Sequence, residues 1–342
     1  MTKLGVLFSV LGVGAGCIPA FAQKQLPNII VMLSDDQGWG DLGFTGNTFV
    51  QTPNIDRIAH EGTILENFYV CPVSSPTRAE FLTGRYHVRS GVNSTTGGGE
   101  RFNLGEKTIA EYFREAGYAT SLFGKWHSGT QYPYHPNARG FEEFYGFCSG
   151  HWGNYWNPVL EHNGEIISGE GFIIDDLTDK ALDYIRDHKE HPFFMFLSYN
   201  TPHSPMQVPD SWWNRVKDRT LSQRATFPEQ EDTTFTKAAL ALAENLDWNI
   251  GRVLSLLHSL DLEQETIVIY FSDNGPNSFR WNGGMKGRKG STDEGGVRSP
   301  FCIRWPGHIR KGAVETQLSG AIDLIPTLLG LAGIEYTPLR KL

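Results

Sequence analysis

Asn28-Ile29-Ile30-Val31-Met32-Leu33-Ser34-Asp35-Asp36-Gln37-Gly38-Trp39-Gly40-Asp41 is the stretch on which the fold turns. Its first seven residues form a short, continuous apolar run bounded by polar residues, the pattern of a strand buried on both faces of an α/β sheet. The run ends on carboxylates. Open α/β sheets place their ligands beyond the carboxyl ends of their strands, which makes Asp35 and Asp36 site candidates. Neighbouring residues of a strand point to opposite faces, so both aspartates can serve one site only where the strand has given way to a loop. Gly38 and Gly40 supply the freedom for that loop.

The same layout recurs along the chain. Tyr118 to Phe123 is a predicted strand that delivers Gly124-Lys125-Trp126-His127. Lys125 and His127 alternate with Trp126 and would share a side in extended chain. Phe193 to Tyr199 delivers Asn200-Thr201-Pro202-His203-Ser204-Pro205, in which the prolines hold His203 in a rigid, non-helical loop. Thr266 to Ser272 delivers Asp273-Asn274-Gly275. Predicted helices begin near Pro53 and cover about Lys107 to Ala116, Asp176 to His188 and Thr233 to Leu260. Strands alternating with helices make the chain α/β. Between Arg139 and Trp156 the chain is rich in glycine and aromatics; Gly140 to Gly146 is assigned to the core, and His151, Trp152 and Trp156 are kept as substrate-subsite candidates.

Composition narrows the function. The 342 residues are 39% hydrophobic and 20% charged, which describes a globular protein of one large domain or two smaller ones, with ample chain to bury a core. The formal net charge is -8 and no basic block occurs, so the footprint of a nucleic-acid binder is missing. An anionic substrate must then be met by local cations. Met1 to Ala22 carries an early lysine, an apolar run from Leu4 to Val13, and Ala20-Phe21-Ala22. That is the layout of a secretory signal, too short and too glycine-rich for a stable membrane span, and it predicts an exported, periplasmic or secreted protein. Gly16-Cys17 would allow lipoprotein anchoring, but Gly14 stands where a larger aliphatic residue is usual, and cleavage after Ala22 is preferred. The remaining Cys71, Cys148 and Cys302 are odd in number, so disulfides are not the main scaffold.

One further stretch binds these fragments together: Ser74-Ser75-Pro76-Thr77-Arg78-Ala79-Glu80-Phe81-Leu82-Thr83-Gly84. It resembles the signature of the type I sulfatases, in which a Cys or Ser followed by Pro at the second position and Arg at the fourth is oxidised to formylglycine. The precursor position is Ser74. Cys71 does not fit, because Val73 and Ser75 stand where Pro and Arg are required, and it is taken as a packing thiol. Asp35-Asp36-Gln37-Gly38-Trp39-Gly40-Asp41, Gly124-Lys125-Trp126-His127, the Pro202-His203 pair and the run from Lys289 to Gly296 are similar to further motifs of that family, in the expected order. The resemblance spans roughly Asn28 to Ile334.

The resemblance implies an alkaline-phosphatase-like superfold, a large mixed, mainly parallel β-sheet sandwiched between helices. It implies hydrolysis of a sulfate ester, on a sulfated carbohydrate or aryl substrate, after a maturase has modified Ser74. Asp35, Asp36, Asp273 and Asn274, with position 74, would be the metal ligands; an all-oxygen set suits Ca²⁺, with Mg²⁺ as the alternative. Arg78 would fix the aldehyde hydrate. Lys125, Lys289 and His203 would hold sulfate oxygens, Lys289 or His203 protonating the leaving group, and His127 would take the proton of the second hydroxyl. Family members continue beyond Ile322 to Leu329 into a smaller C-terminal subdomain, so residues 23–342 are expected to be the catalytic domain with that subdomain truncated or absent. The alternatives are a phosphomonoester, phosphodiester or phosphonate hydrolase of the same superfold, and an inactive sulfated-glycan-binding remnant.

Overall fold

The structure, a computed structural model, describes residues 26–337. The leader read at residues 1–22 lies outside the described residues. Among the described residues twelve strands occur in chain order: β1 Asn28–Ser34, β2 Thr63–Leu65, β3 Phe68–Tyr69, β4 Ala119–Lys125, β5 Glu143–Phe147, β6 Val159–His162, β7 Glu165–Ser168, β8 Phe193–Ser198, β9 Thr266–Ser272, β10 Phe301–Arg304, β11 Ala313–Glu315 and β12 Ser319–Gly320. Ten of them form one sheet in the order β11-β2-β10-β9-β1-β8-β4-β5-β6-β7. The central run β9-β1-β8-β4-β5 is parallel throughout, and the flanking β10, β6 and β7 pair antiparallel. The expected mixed, mainly parallel sheet is therefore present.

β1 lies at the centre and is buried along its whole length, with Asn28 opposite Thr266 and Ser34 opposite Ser272. Its side chains divide by the period of two. Ile30 and Met32 join a core that holds Ile55 and Ile58 of α1 (Pro53–Glu61), Leu177 and Ile185 of α4 (Ile173–Asp187), and Leu246 and Ile250 of α5 (Thr233–Ser259). Ile29, Val31 and Leu33 join the opposite core, with Phe81 of α2 (Ser74–Thr83), Phe113 of α3 (Ile109–Glu115) and Leu328 of α6 (Leu324–Ala332). Each fully buried side chain of this size contributes about 1.5–3 kcal/mol. A two-sided apolar strand thus requires helices on both faces, and it has them.

Local chemistry sets the helix ends. Thr108 caps α3 through a reciprocal box, accepting from Glu111 N at 3.1 Å while Glu111 Oε2 accepts from Thr108 N at 2.6 Å. α2 stops at Gly84, which takes φ 65° and returns its N–H to Glu80 O. α4 starts at Ile173, three residues before the expected Asp176. Asp175 and Asp176 lie inside its first turn, where the partial positive charge of a helix start favours carboxylates. Among the described residues no helix is long and apolar enough to cross a membrane.

Candidate active site

Four adjacent parallel strands, β9, β1, β8 and β4, end at one edge of the sheet, and their exits carry Asp273-Asn274, Asp35-Asp36, Asn200 to His203, and Lys125 to His127. Asp36 takes φ 64°. That left-handed residue breaks the alternation, so that both aspartates serve one place. Arg280 locks the turn. It donates from Nε to Asp41 Oδ1 at 2.8 Å and from Nη2 to both Asp41 Oδ2 at 2.6 Å and Asp36 O at 3.0 Å.

Ser74 is the first residue of α2 and is buried. Its Oγ donates to Asp273 Oδ2 at 2.5 Å and accepts from Arg78 Nε at 3.0 Å. Arg78, wholly buried, also reaches Asp273 Oδ2 from Nη2 at 3.0 Å, Lys125 O at 3.1 Å and Ser198 Oγ at 2.5 Å. One helical turn separates position 74 from position 78, which is why the arginine returns to the hydroxyl.

Three carboxylates face three cations here. Lys125 Nζ donates to Asp35 Oδ2 at 2.6 Å, and Lys289 Nζ lies 2.7 Å from Asp36 Oδ1 and 2.9 Å from Oδ2. Burial opposes the charge on Asp35, yet Lys125, His203, Arg78 and Lys289 hold its carboxyl well below the usual range. Burial, and then Asp35 itself, push Asp273 the other way. Lys289 is raised: Asp36 and Asp35 overcome the burial that works against its ammonium.

The same pocket fits a hard divalent cation. Asp35 Oδ1 and Asn274 Oδ1 are buried oxygens without a hydrogen-bond partner, a costly state for acceptors at which an ion would be the natural occupant. Asp36 and Asp273 are tied to the same cluster, Asn274 Nδ2 donating to Asp36 Oδ1 at 2.8 Å and Asp36 N to Asp273 Oδ1 at 3.2 Å. Oxygens from Asp35, Asp36, Asp273 and Asn274, with Ser74 Oγ beside Asp273, form the donor set expected of a calcium or magnesium site.

The two histidines present opposite nitrogens. His127, at φ 62°, donates from Nε2 to Thr95 O at 2.9 Å, which leaves Nδ1 as a buried lone pair with no partner. Burial, reinforced by Lys125, pushes this imidazole down to about 2, so it is neutral. His203 donates from Nδ1 to Ser204 O at 2.7 Å and presents Nε2 to Asp36 Oδ2 at 3.5 Å. Tyr155 fixes the His203 loop by donating to His203 O at 2.7 Å.

The expected residues therefore meet in one cluster, buried except at the partly exposed His203 and Lys289, whereas the subsite candidates divide. His151 lies against His203, with ring centroids 5.2 Å apart. Trp152 stacks on Phe147, and Trp156 lies beside Phe172 with nearly half its surface exposed. Several supporting groups were not foreseen: Ser198, Arg280, the Thr95 carbonyl, Tyr155, and Gly150, where a Cβ would lie 2.1 Å from His127 Nε2. Asp41 alone carried a signal, as the last residue of the first aspartate motif. A cavity of about 720 Å³ opens beside Ala119, at the other end of β4, and Glu142, Glu143, Glu170, Asp183 and Asp187 line it. These five carboxylates outnumber the one lysine of the lining, Lys180, so this space disfavours an anionic ester.

With this geometry in view, the chain can be set beside known proteins. A family model described as Sulfatase matches residues 27–334. The chain is 33% identical to N-acetylgalactosamine-6-sulfatase of Homo sapiens over 94% of its own length and 64% of the relative's, so it spans a little under two thirds of that protein. Among solved structures it superposes on Ps i-CgsB in complex with k-i-k-neocarrahexaose, with a TM-score of 0.80 and 32% identity, covering 92% of this chain and 73% of that one. The PsFucS1 sulfatase from Pseudoalteromonas sp. follows with a TM-score of 0.76 and 26% identity, over 91% of this chain and 68% of that one.

Proposed function

The chain belongs to the sulfatase family, and from that premise we propose that it hydrolyses sulfate esters of glycans by S–O cleavage. One observation carries the reading. Ser74 Oγ, at the start of a helix, is held between Asp273 at 2.5 Å and Arg78 at 3.0 Å in a buried pocket that also contains Lys125, with the partly exposed Lys289 paired to Asp36. The similarity to N-acetylgalactosamine-6-sulfatase and to a sulfatase-fold structure complexed with an oligosaccharide supports a sulfated carbohydrate.

Asp35, Asp36, Asp273 and Asn274 would hold Ca²⁺, whose part is to polarise a sulfate oxygen; Mg²⁺ is the second choice, since it keeps more of its water. Formylglycine at position 74, made by a maturase, would supply as its hydrate one hydroxyl to attack sulfur and a second through which the aldehyde is restored. The chain's own groups do the rest. Arg78 orients the oxygen at position 74 through Nε and neutralises Asp273 through Nη2. Lys125 and Lys289 present ammonium groups to the sulfate oxygens as charge moves to the leaving oxygen. His203 Nε2, held close to Asp36, carries a proton to that oxygen. His127 Nδ1, a lone pair with no other partner, takes the proton of the second hydroxyl at position 74. The leader-like residues 1–22 support export.

Peptide mass spectrometry across Ser74, on protein from its native host, tests this together with sulfate release from paired aryl sulfate and aryl phosphate esters. A loss of two hydrogens at Ser74 with preferential sulfate release is expected. Modified protein that releases phosphate and leaves sulfate untouched would overturn the proposal.

A further inference from the structure

A second group of side chains of metal-ligand type gathers around α2, made of residues other than the carboxylates at the sheet edge. One donor atom from each of Cys71, Glu80 and His87 lies within 4.8 Å of the others. Cys71 precedes the helix, Glu80 is on it, and His87 follows it. Cys71 and Glu80 are buried and His87 is half-buried. From this grouping we infer a soft-metal site, suited to Zn²⁺, that staples the two ends of the helix bearing Ser74 and Arg78.

The imidazole is already in the form a ligand needs. His87 Nδ1 lies 2.8 Å from Val92 O, and a carbonyl can only accept, so Nδ1 carries the proton and Nε2 the lone pair. A histidine that donates its other N–H to a backbone carbonyl is the usual supporting arrangement of a metal ligand. The turn that makes this contact is closed independently: Val92 N donates to His87 O at 2.9 Å, Ser90 Oγ donates to the same oxygen at 2.9 Å, and His87 N donates to Glu80 Oε1 at 3.2 Å. Cys71 N donates to Thr77 Oγ1 at 2.9 Å, which fixes the thiol against the helix.

Charge favours the same ion. Binding would break the Cys71 S–H bond, form a Zn–S bond and release the proton to solvent. Zn²⁺ with one thiolate, one carboxylate and one neutral imidazole sums to zero, so burial strands no charge. Zn–S near ~2.3 Å and Zn–N or Zn–O near ~2.0–2.1 Å place tetrahedral ligands roughly 3.3–3.6 Å apart, within reach of small rotations of these side chains, with water in the fourth position. Without metal, burial and then Glu80 push the thiol well above its ordinary value, so zinc must displace a tightly held proton and its binding weakens as the pH falls.

A comparable trio, His135, Cys148 and Glu161, lacks this preparation. His135 Nδ1 accepts from Asn137 N at 3.3 Å, so the proton is on Nε2, donated to Glu161 Oε1 at 2.5 Å. A metal on Nε2 would have to reverse the tautomer and forfeit the Asn137 bond. That trio serves as the internal control.

The test uses the full chain, stripped with a chelator and then kept in saturating Ca²⁺, titrated with Co²⁺ and back-titrated with Zn²⁺. The expected result is one equivalent of Co²⁺ giving a near-ultraviolet thiolate-to-cobalt charge-transfer band that Zn²⁺ abolishes. The band should disappear in Cys71→Ser and His87→Ala and persist in Cys148→Ser. Absence of the band in the unaltered chain, its survival in Cys71→Ser or its loss in Cys148→Ser would overturn the site. If Cys71→Ser does not fold, zinc-edge X-ray absorption on Cys148→Ser asks the same question. A sulfur neighbour at about 2.3 Å supports the site, and a shell of oxygen and nitrogen alone overturns it.

Discussion

Gly150→Ala should disable the base without touching it. An ideal Cβ at position 150 would lie 2.1 Å from His127 Nε2 and 2.6 Å from both Cδ2 and Cε1. Ordinary contact begins at 3.4 Å, so ring and loop must separate by about 1.3 Å. The ring has little room to yield. It is 5% exposed, its backbone is held at φ 62°, His127 N donates to Cys148 O at 3.2 Å, and Nε2 is bonded to Thr95 O. A misplacement of about 1 Å costs on the order of 10²-fold in rate. The assay is aryl sulfate turnover by protein in which formylglycine at position 74 has been quantified. A fall in kcat of about 10²-fold, with KM changed only a few-fold, is expected. Gly153→Ala is the matched control, because its Cβ would meet His151 Nε2 at 3.9 Å, and it should stay within a few-fold of the unaltered chain. Full activity in Gly150→Ala, or equal losses in both variants, would refute the placement of His127.

Asp41→Asn should leave the Arg280 guanidinium buried without its counter-charge, at a cost of about 3–5 kcal/mol in urea unfolding, and should weaken Ca²⁺ binding because Arg280 also holds the Asp36 carbonyl. Acidification should narrow the stability gap between the unaltered chain and His127→Gln. The folded imidazole, pushed down to about 2, binds fewer protons than the unfolded one between about pH 6.5 and pH 2. Stability is therefore lost as the pH falls through that window, by at most about 3.4 kcal/mol at pH 4, and a gap that stays constant in pH-dependent unfolding would contradict it. Calorimetry should show Ca²⁺ at a hundredfold excess over its Kd raising the unfolding free energy by about 2.7 kcal/mol, with Mg²⁺ at equal concentration giving less; a larger effect of Mg²⁺ would reverse the assignment.

The strands that deliver the site were legible because each is an apolar run ending on polar residues. β1 and β9 occupy the expected Asn28–Ser34 and Thr266–Ser272, since burial on both faces leaves no polar position to blur their ends. β4 runs on to Lys125, two residues beyond expectation, because Gly124 adopts φ 111° and lets the backbone pass Ser198 O, where a Cβ would meet that oxygen at 1.9 Å. The candidate residues themselves were legible through motifs. Their supports were not: Thr95 acts through a carbonyl 32 positions from His127, Gly150 acts by lacking a side chain, and Tyr155 was one aromatic among many. Such roles arise only when distant segments meet, and no local pattern encodes them.

Lys289 ties the metal and the substrate together in a way that predicts effects of opposite sign. Its ammonium lies within 3 Å of both oxygens of Asp36, so it competes with any cation for that carboxylate while also being placed for a sulfate oxygen. Two unit charges about 4 Å apart interact by about 4 kcal/mol in surroundings of effective dielectric near 20, and a third of that is already a tenfold change in Kd. Lys289→Met should therefore tighten Ca²⁺ binding at least tenfold in calorimetric titration. Turnover of the same protein should fall by about 10²-fold, as when one preorganised donor to a developing anion is removed. Were Lys289 merely a structural partner of Asp36, its loss would loosen the loop and both quantities would fall together. A metal that binds more weakly in Lys289→Met would thus refute the competition. Tighter binding with unimpaired turnover would leave the competition standing and remove Lys289 from the chemistry.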